Sequence, residues 1–138
     1  MDIASLCIEP QLSQDEVAVV NAFLRALDAN DLETLVDLFA PDAQVNDQLR
    51  NFWGRDEIAP WLEHEIIGAK VRLVPREVRK HYDVVLVAAE INGDFEAPTL
   101  AQPMAVDLHF TVRGSGIVRL LVLLARTDHS EPEIRRVP

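Results

Sequence analysis

Asn30 to Asp47, NDLETLVDLFAPDAQVND, is the stretch whose reading decides the fold. Asn30 can cap a helix, with Glu33 three residues on to complete a capping box. Leu32, Leu35, Val36 and Phe39 recur at helical spacing and form one apolar face. Pro41 lacks the amide a helix needs and stops it. Ala43 to Asp47 then alternates, with Val45 and Asp47 on one side and Gln44 and Asn46 on the other. Asp47 therefore shares the core-facing side of a short strand. A carboxylate aimed at a core is either compensated by partners or is a working group.

Upstream, residues 1–12 are mixed, with Pro10 near their end, and read as a loosely packed arm. Ser13-Gln14-Asp15-Glu16 matches the capping box S-x-x-E and opens a helix of about four turns. Val17, Val20, Phe23, Leu24 and Leu27 form its apolar face. Downstream, 48–54 read as a loop holding Phe52 and Trp53. Asp56 can cap a third helix running to about Ile67, with Pro60 near its first turn and Gly68 as its stop.

From Lys70 the apolar period changes to two. Val71 to Lys80 is a strand with a bulge or edge at Pro75, and Val84 to Ile91 is a strand apolar on both faces. Asn92-Gly93 is a hairpin signal, and Pro98 and Pro103 bracket a short segment. Met104, Val106, Leu108, Phe110 and Val112 alternate with polar or small residues, as in a half-buried strand. Gly114-Ser115-Gly116 turns the chain into a last strand, Ile117 to Arg126, and the tail from Thr127 reads as mobile. Helices first and antiparallel strands after predict an α+β fold, a single domain with three helices on a curved, mostly antiparallel sheet.

The chain has 138 residues, enough for one domain with a sizeable core. Its formal net charge is −10, and residues 1–65 hold 14 acidic against 3 basic side chains. An acidic helical half repels phosphate and argues against nucleic acid as a partner. The single cysteine, Cys7, excludes an internal disulfide and a thiolate metal cluster. The longest apolar run, Leu120 to Ala125, is too short to span a bilayer, and no basic segment precedes an apolar one at the start. These features predict a cytoplasmic protein with no membrane partner. No nucleophile motif, phosphate-cradling glycine loop or zinc spacing is present, so neither metal nor cofactor is expected.

In the last strand Ile117, Leu121, Leu123 and Ala125 fall on one face, and Val118, Leu120, Val122 and Leu124 on the other. A sheet covered by helices on one side has no use for two apolar faces. A homodimer packed sheet to sheet would cover the second.

Three stretches, FLRALDANDLETLVDLFAPDAQVND, GRDEIAPWL and MAVDLHFTVRGSGIV, resemble the nuclear transport factor 2-like superfamily, which includes ketosteroid isomerases and SnoaL-like polyketide cyclases. The resemblance covers most of residues 17–125 and implies a cone-shaped α+β roll. In the isomerases a general-base carboxylate ends the short strand, and Asp47 matches that position. Their oxyanion hole uses a tyrosine on the first helix and a protonated acid on a late strand. Those positions fall here on Phe23 and Leu108, neither a donor, and Asp107 is one residue off and on the opposite face. The resemblance therefore implies Asp47 as a base but speaks against steroid isomerisation. The limonene epoxide hydrolases of the same superfamily need an Asp on the last strand, and 117–125 contain none.

Around Asp47 the expected ligand-contacting residues are Phe23, Leu27, Trp53, Trp61, His64, Leu108 and Arg119. Trp53 and Trp61 can line a flat hydrophobic site or pack in the core. His64 can shuttle a proton at the mouth or sit in solvent between Glu63 and Glu65. Arg119 can pair with Asp47 or bind an anionic group if its face is the cavity side, or else reach to water. Asp107 and His109 share a face at i, i+2, and Glu90 can face the cavity or the rim. Two functions follow. One is a binder of hydrophobic small molecules, with acid-base chemistry on a ketone-like substrate through Asp47. The other is a non-catalytic dimeric module whose cone is filled by its own side chains.

Overall fold

A computed structural model describes residues 3–7, 12–94 and 104–125. The first helix, α1 (Gln14–Asp28), carries the full capping box. Glu16 N–H donates to Ser13 Oγ at 3.1 Å, and Ser13 N–H donates to Glu16 Oε1 at 2.8 Å. Val19, Val20, Phe23, Ala26 and Leu27 are buried along its inner face. Asn30 has a left-handed backbone (φ 54°) and ends α1 rather than opening the next helix. The Asn30 and Asp31 N–H groups donate back to the Leu27 and Ala26 carbonyls, closing a Schellman motif. The cap of α2 (Leu32–Asp37) is Asp31, one residue later than expected.

Helix α2 also ends before Pro41, because Phe39 already belongs to the first strand, β1 (Phe39–Asp47). Pro41 is tolerated there for two reasons. The neighbour β2 (Arg50–Trp53) pairs only with residues 44–47, and the pairing on the other side slips between Phe39 and Gln44. The expected loop at 48–54 is thus mostly strand. Gln48 and Leu49 make the two-residue turn at positive φ, a role usually marked by Asn or Gly.

Helix α3 (Gly54–Trp61) begins earlier than Asp56, since Gly54 at φ 75° lets the chain enter it directly from β2. Pro60 therefore lies in its last turn, not its first. A π-helical turn, Leu62–Ile67, follows, and the Gly68 N–H closes it on the Glu63 carbonyl. A side chain at Gly68 would place a Cβ 2.5 Å from the His64 carbonyl oxygen, so glycine is required.

The strands β3 (Arg72–His81), β4 (Val84–Asn92), β5 (Met104–Arg113) and β6 (Gly116–Ala125) complete a six-stranded sheet in the order β2-β1-β6-β5-β4-β3. All neighbours are antiparallel except β1 and β6, which run parallel. This is the expected α+β roll. β3 is an edge with a register shift between Pro75 and Glu77, as its proline predicted. Asn92-Gly93 does not make a tight hairpin, because Ile91 pairs with Met104. The expected segment between Pro98 and Pro103 and the tail from Thr127 lie outside the described residues.

The inner face is continuous. Val85, Val87, Ala89, Val106, Leu108, Phe110 and Leu120 are buried in one core cluster with the inward residues of α1 and α3. Phe23 meets Phe39 and Phe110 edge-on, at centroid distances of 6.4 and 5.3 Å. Within the stretch that reads as a loose arm, the described residues 3–7 are packed on the fold. Ile3 is fully buried, its N–H donates to Asn21 Oδ1 at 3.0 Å, and Cys7 bridges to Val78. No helix among the described residues is long and apolar enough to cross a membrane.

Candidate functional site

The site forms where β1 ends. Asp47 pairs with Arg50 across the tight turn and with Val122 of β6, and its side chain faces inward with 14% exposure. Trp61, at the end of α3 and only 3% exposed, donates its indole N–H to Asp47 Oδ2 at 2.9 Å. Arg50 Nη2 reaches the same oxygen at 3.1 Å. Oδ1 takes Gln48 Nε2 at 3.3 Å.

Arg50 is the hub. It binds Glu65, from the π-helical turn, through both terminal nitrogens, at 3.1 and 2.6 Å. Its guanidinium lies 5.4 Å above the Phe52 ring, which in turn packs on Trp61 at 5.8 Å. The Glu65 carboxylate, with help from Asp47, raises the Arg50 pKa above its ordinary value. The Arg50 side chain is 52% exposed, so these ion pairs are well screened by solvent. The cluster is an oriented carboxylate, a bridging cation and two rings packed at a tilt.

The sequence does not single out Arg50 and Phe52, because 48–54 reads as a loop, nor Glu65, whose approach to Arg50 needs the π-helical turn. The signal was the three-residue spacing of Asp47 and Arg50. Across a two-residue turn, that spacing places them directly opposite each other.

The expected residues separate into two groups. Phe23, Leu27, Trp61 and Leu108 are buried on the inner side. The others do not join them. His64 is exposed on the π-helical turn. Trp53 is 58% exposed on the outer face, since it pairs with the outward Gln44 and not with Val45. Arg119 is also on the outer face, where its Nε donates to Gln44 Oε1 at 3.1 Å, so it does not reach Asp47. A register shift at Ile117–Arg119 puts Ile117 and Leu120 on the same inner side, which the strict alternation had separated. Asp107 and His109 lie opposite Leu123 and Leu121 on the outer face, and Glu90 pairs with Arg76 at 2.7 Å. On the inner side Phe23 and Leu108 offer no hydrogen-bond donor where the resemblance places the oxyanion hole.

The fold is shared with several solved structures. A candidate polyketide cyclase from Sinorhizobium meliloti is similar at 30% identity over 76% of this chain and 93% of its own, with a TM-score of 0.68. TerC, crystallised with polyporic acid, is similar at 18% identity over 81% and 92%, with a TM-score of 0.68. The Orange Carotenoid Protein of Anabaena (Nostoc) sp. PCC 7120, which binds canthaxanthin, matches over 80% of this chain and 37% of its own, at 21% identity and a TM-score of 0.65. No curated protein matches at a significant level. The SnoaL-like domain matches residues 20–120, and the chain belongs to that family.

Proposed function

We propose that this chain binds a hydrophobic small molecule inside the roll and that Asp47 acts there as a general base on a ketone-like substrate. The chemistry is isomerase- or cyclase-like and uses no metal. One observation carries the reading. Trp61 and Arg50 hold Asp47 by Oδ2, so Oδ1 has a fixed direction and only Gln48 as a partner among the described residues. A base anchored by one oxygen presents the other without having to reorganise. The Sinorhizobium meliloti protein supports the cyclase-like side of this reading. Phe23, Leu27, Trp61 and Leu108 supply the apolar contacts. Steroid isomerisation is not part of it, because Phe23 and Leu108 cannot stabilise an oxyanion.

The test is Asp47→Asn, assayed for binding and turnover on a panel of cyclic ketones. Turnover should fall by roughly 10²- to 10⁴-fold while ligand affinity is kept. A wild-type protein that neither binds nor turns over any member would remove the reading.

A second reading is a non-catalytic dimeric module with a self-filled interior. Two observations favour it. The Phe23–Phe39–Phe110 cluster fills the roll between α1 and the sheet, and Asp47 already has an ion-pair partner. The dimer would form through the outer sheet face, where Leu86, Ala88, Leu121 and Leu123 are half-buried and lie outside the core cluster. Gel filtration at micromolar concentration tests it, and a monomer would remove it.

A further inference from the structure

The outer face of the sheet carries an open groove of about 430 Å³, toward the end away from Asp47. Trp53, Gln44, Arg119, Thr111 and Val84 form one row across five strands, each paired with the next. All five line the groove, together with Arg113. Adjacent strands are about 4.8 Å apart, so the backbones of Trp53 and Arg119 are roughly 10 Å apart. That is the length of a small aryl acid.

Gln44 sets Arg119 in place. Its Oε1 accepts from Arg119 Nε, while its Nε2 donates to Asn51 Oδ1 at 2.9 Å, an oxygen that Asn46 also binds. With Nε engaged, no hydrogen-bond partner among the described residues takes the two terminal nitrogens of Arg119, which lines the groove. The chain carries a net charge of −10, yet among the described residues neither Arg113 nor Arg119 has a carboxylate within ion-pair distance. Lining the same groove is Trp53, the exposed one of the two tryptophans, at 58% exposure.

We propose that this groove binds a planar aromatic carboxylate, its ring on Trp53 and its carboxylate between Arg119 and Arg113. Guanidinium groups take a carboxylate in a fork, and indole faces stack on aryl rings. Asp42 and Asp83 also line the groove, from β1 and from the β3–β4 turn, and so flank the two central strands that carry the arginines. Their charges disfavour a doubly charged phosphate and leave room for a single charge in the middle. The site lies on the opposite face of the sheet from Asp47 and does not depend on any chemistry there.

Naphthoate and its neutral analogue naphthalene methanol, titrated calorimetrically into the full chain at low salt, test the site. Naphthoate should bind about tenfold or more tightly than the alcohol, and Arg119→Gln and Trp53→Ala should each weaken it about tenfold. Asp47→Asn should leave it unchanged. Both groove positions are exposed, and matching thermal melts check that the variants fold. Equal affinity for the alcohol, no binding at millimolar naphthoate, or binding that survives Arg119→Gln and is lost in Asp47→Asn would each overturn the proposal.

Discussion

The two tryptophans lie at the two ends of a single short helix, α3, and meet opposite fates. Trp61 is buried, packed on Phe52, with its N–H committed to Asp47. Trp53 lies on the outer face of the sheet beside two arginines that have no carboxylate partner among the described residues. The same contrast runs through the whole sheet. On the inner side, polar groups come with partners: Asp47 has Trp61 and Arg50, and Glu16 has Lys80 and the Ser13 amide. The outer face mixes Leu86, Leu121 and Leu123 with Asp107, His109 and Arg119. A buried polar group must be satisfied within the fold, whereas a surface one can wait for a ligand. The inner face thus carries stability, and the outer face is where association remains open.

The sharpest way to break this contrast is to mutate adjacent residues of β5. Phe110 is fully buried against Phe23, so Phe110→Ala should cost about 3–5 kcal/mol in denaturant unfolding. Thr111 is next in the strand and faces outward, and Thr111→Ala should stay within about 0.5 kcal/mol. If the two costs converged, the outer face would have to be covered by something as tightly packed as α1.

The Glu16–Lys80 pair comes next. It joins the first turn of α1 to the edge strand β3 at 2.8 Å, and both side chains are largely buried. Lys80→Met removes the cation and leaves Glu16 with the Ser13 amide, so unfolding should become easier by about 2–3 kcal/mol. The paired variant Glu16→Gln with Lys80→Met should recover much of that loss, since it removes the stranded charge. Failure to recover would mean that the ion pair itself, and not the desolvated carboxylate, sets the cost.

Asp47→Asn should matter less to stability than to turnover. The amide oxygen can still accept the Trp61 N–H, and Arg50 keeps Glu65, so the cost should be about 1 kcal/mol after solvent screening of the exposed guanidinium. A much larger loss of stability would mark Asp47 as structural and weaken its assignment as a base.

The inner side was the more legible of the two in the sequence. The capping box at Ser13, the alternation of Met104 to Phe110 and the inward side of Val45 and Asp47 are local patterns, and each produced the element it implied. The errors came where one residue's conformation shifts everything after it. Gln48 and Leu49 turn the chain without a glycine, so β2 was hidden and Trp53 was assigned to the interior. The irregular pairing at Ile117–Arg119 breaks a strict period of two, so the faces of β6 were mixed. The Arg50–Glu65 bridge needs the π-helical turn after Pro60, and hydrophobic period does not report such a turn. Asp47 could be read as inward-facing from its neighbour, but its partners depended on that turn and on β2.

The smallest expected effect comes from Asp31, which belongs to neither face and is fully exposed at the start of α2. The Thr34 hydroxyl and then the Thr34 amide bind its carboxylate, at 2.7 and 3.1 Å, and lower its pKa below the ordinary 3.8. A lowered carboxylate pKa means that the folded state prefers the charged form. Its contribution is therefore present above about 3.8 and is lost as pH falls through the lower folded value. Asp31→Asn keeps a capping side chain and removes the titration. Thermal melts across the acid range should show wild type slightly more stable than Asp31→Asn above that window. The two should converge below it, with the difference shrinking further in high salt. A gap that stays constant with pH would mean that the carboxylate's charge does no work at this cap, and that Thr34 is held by geometry alone.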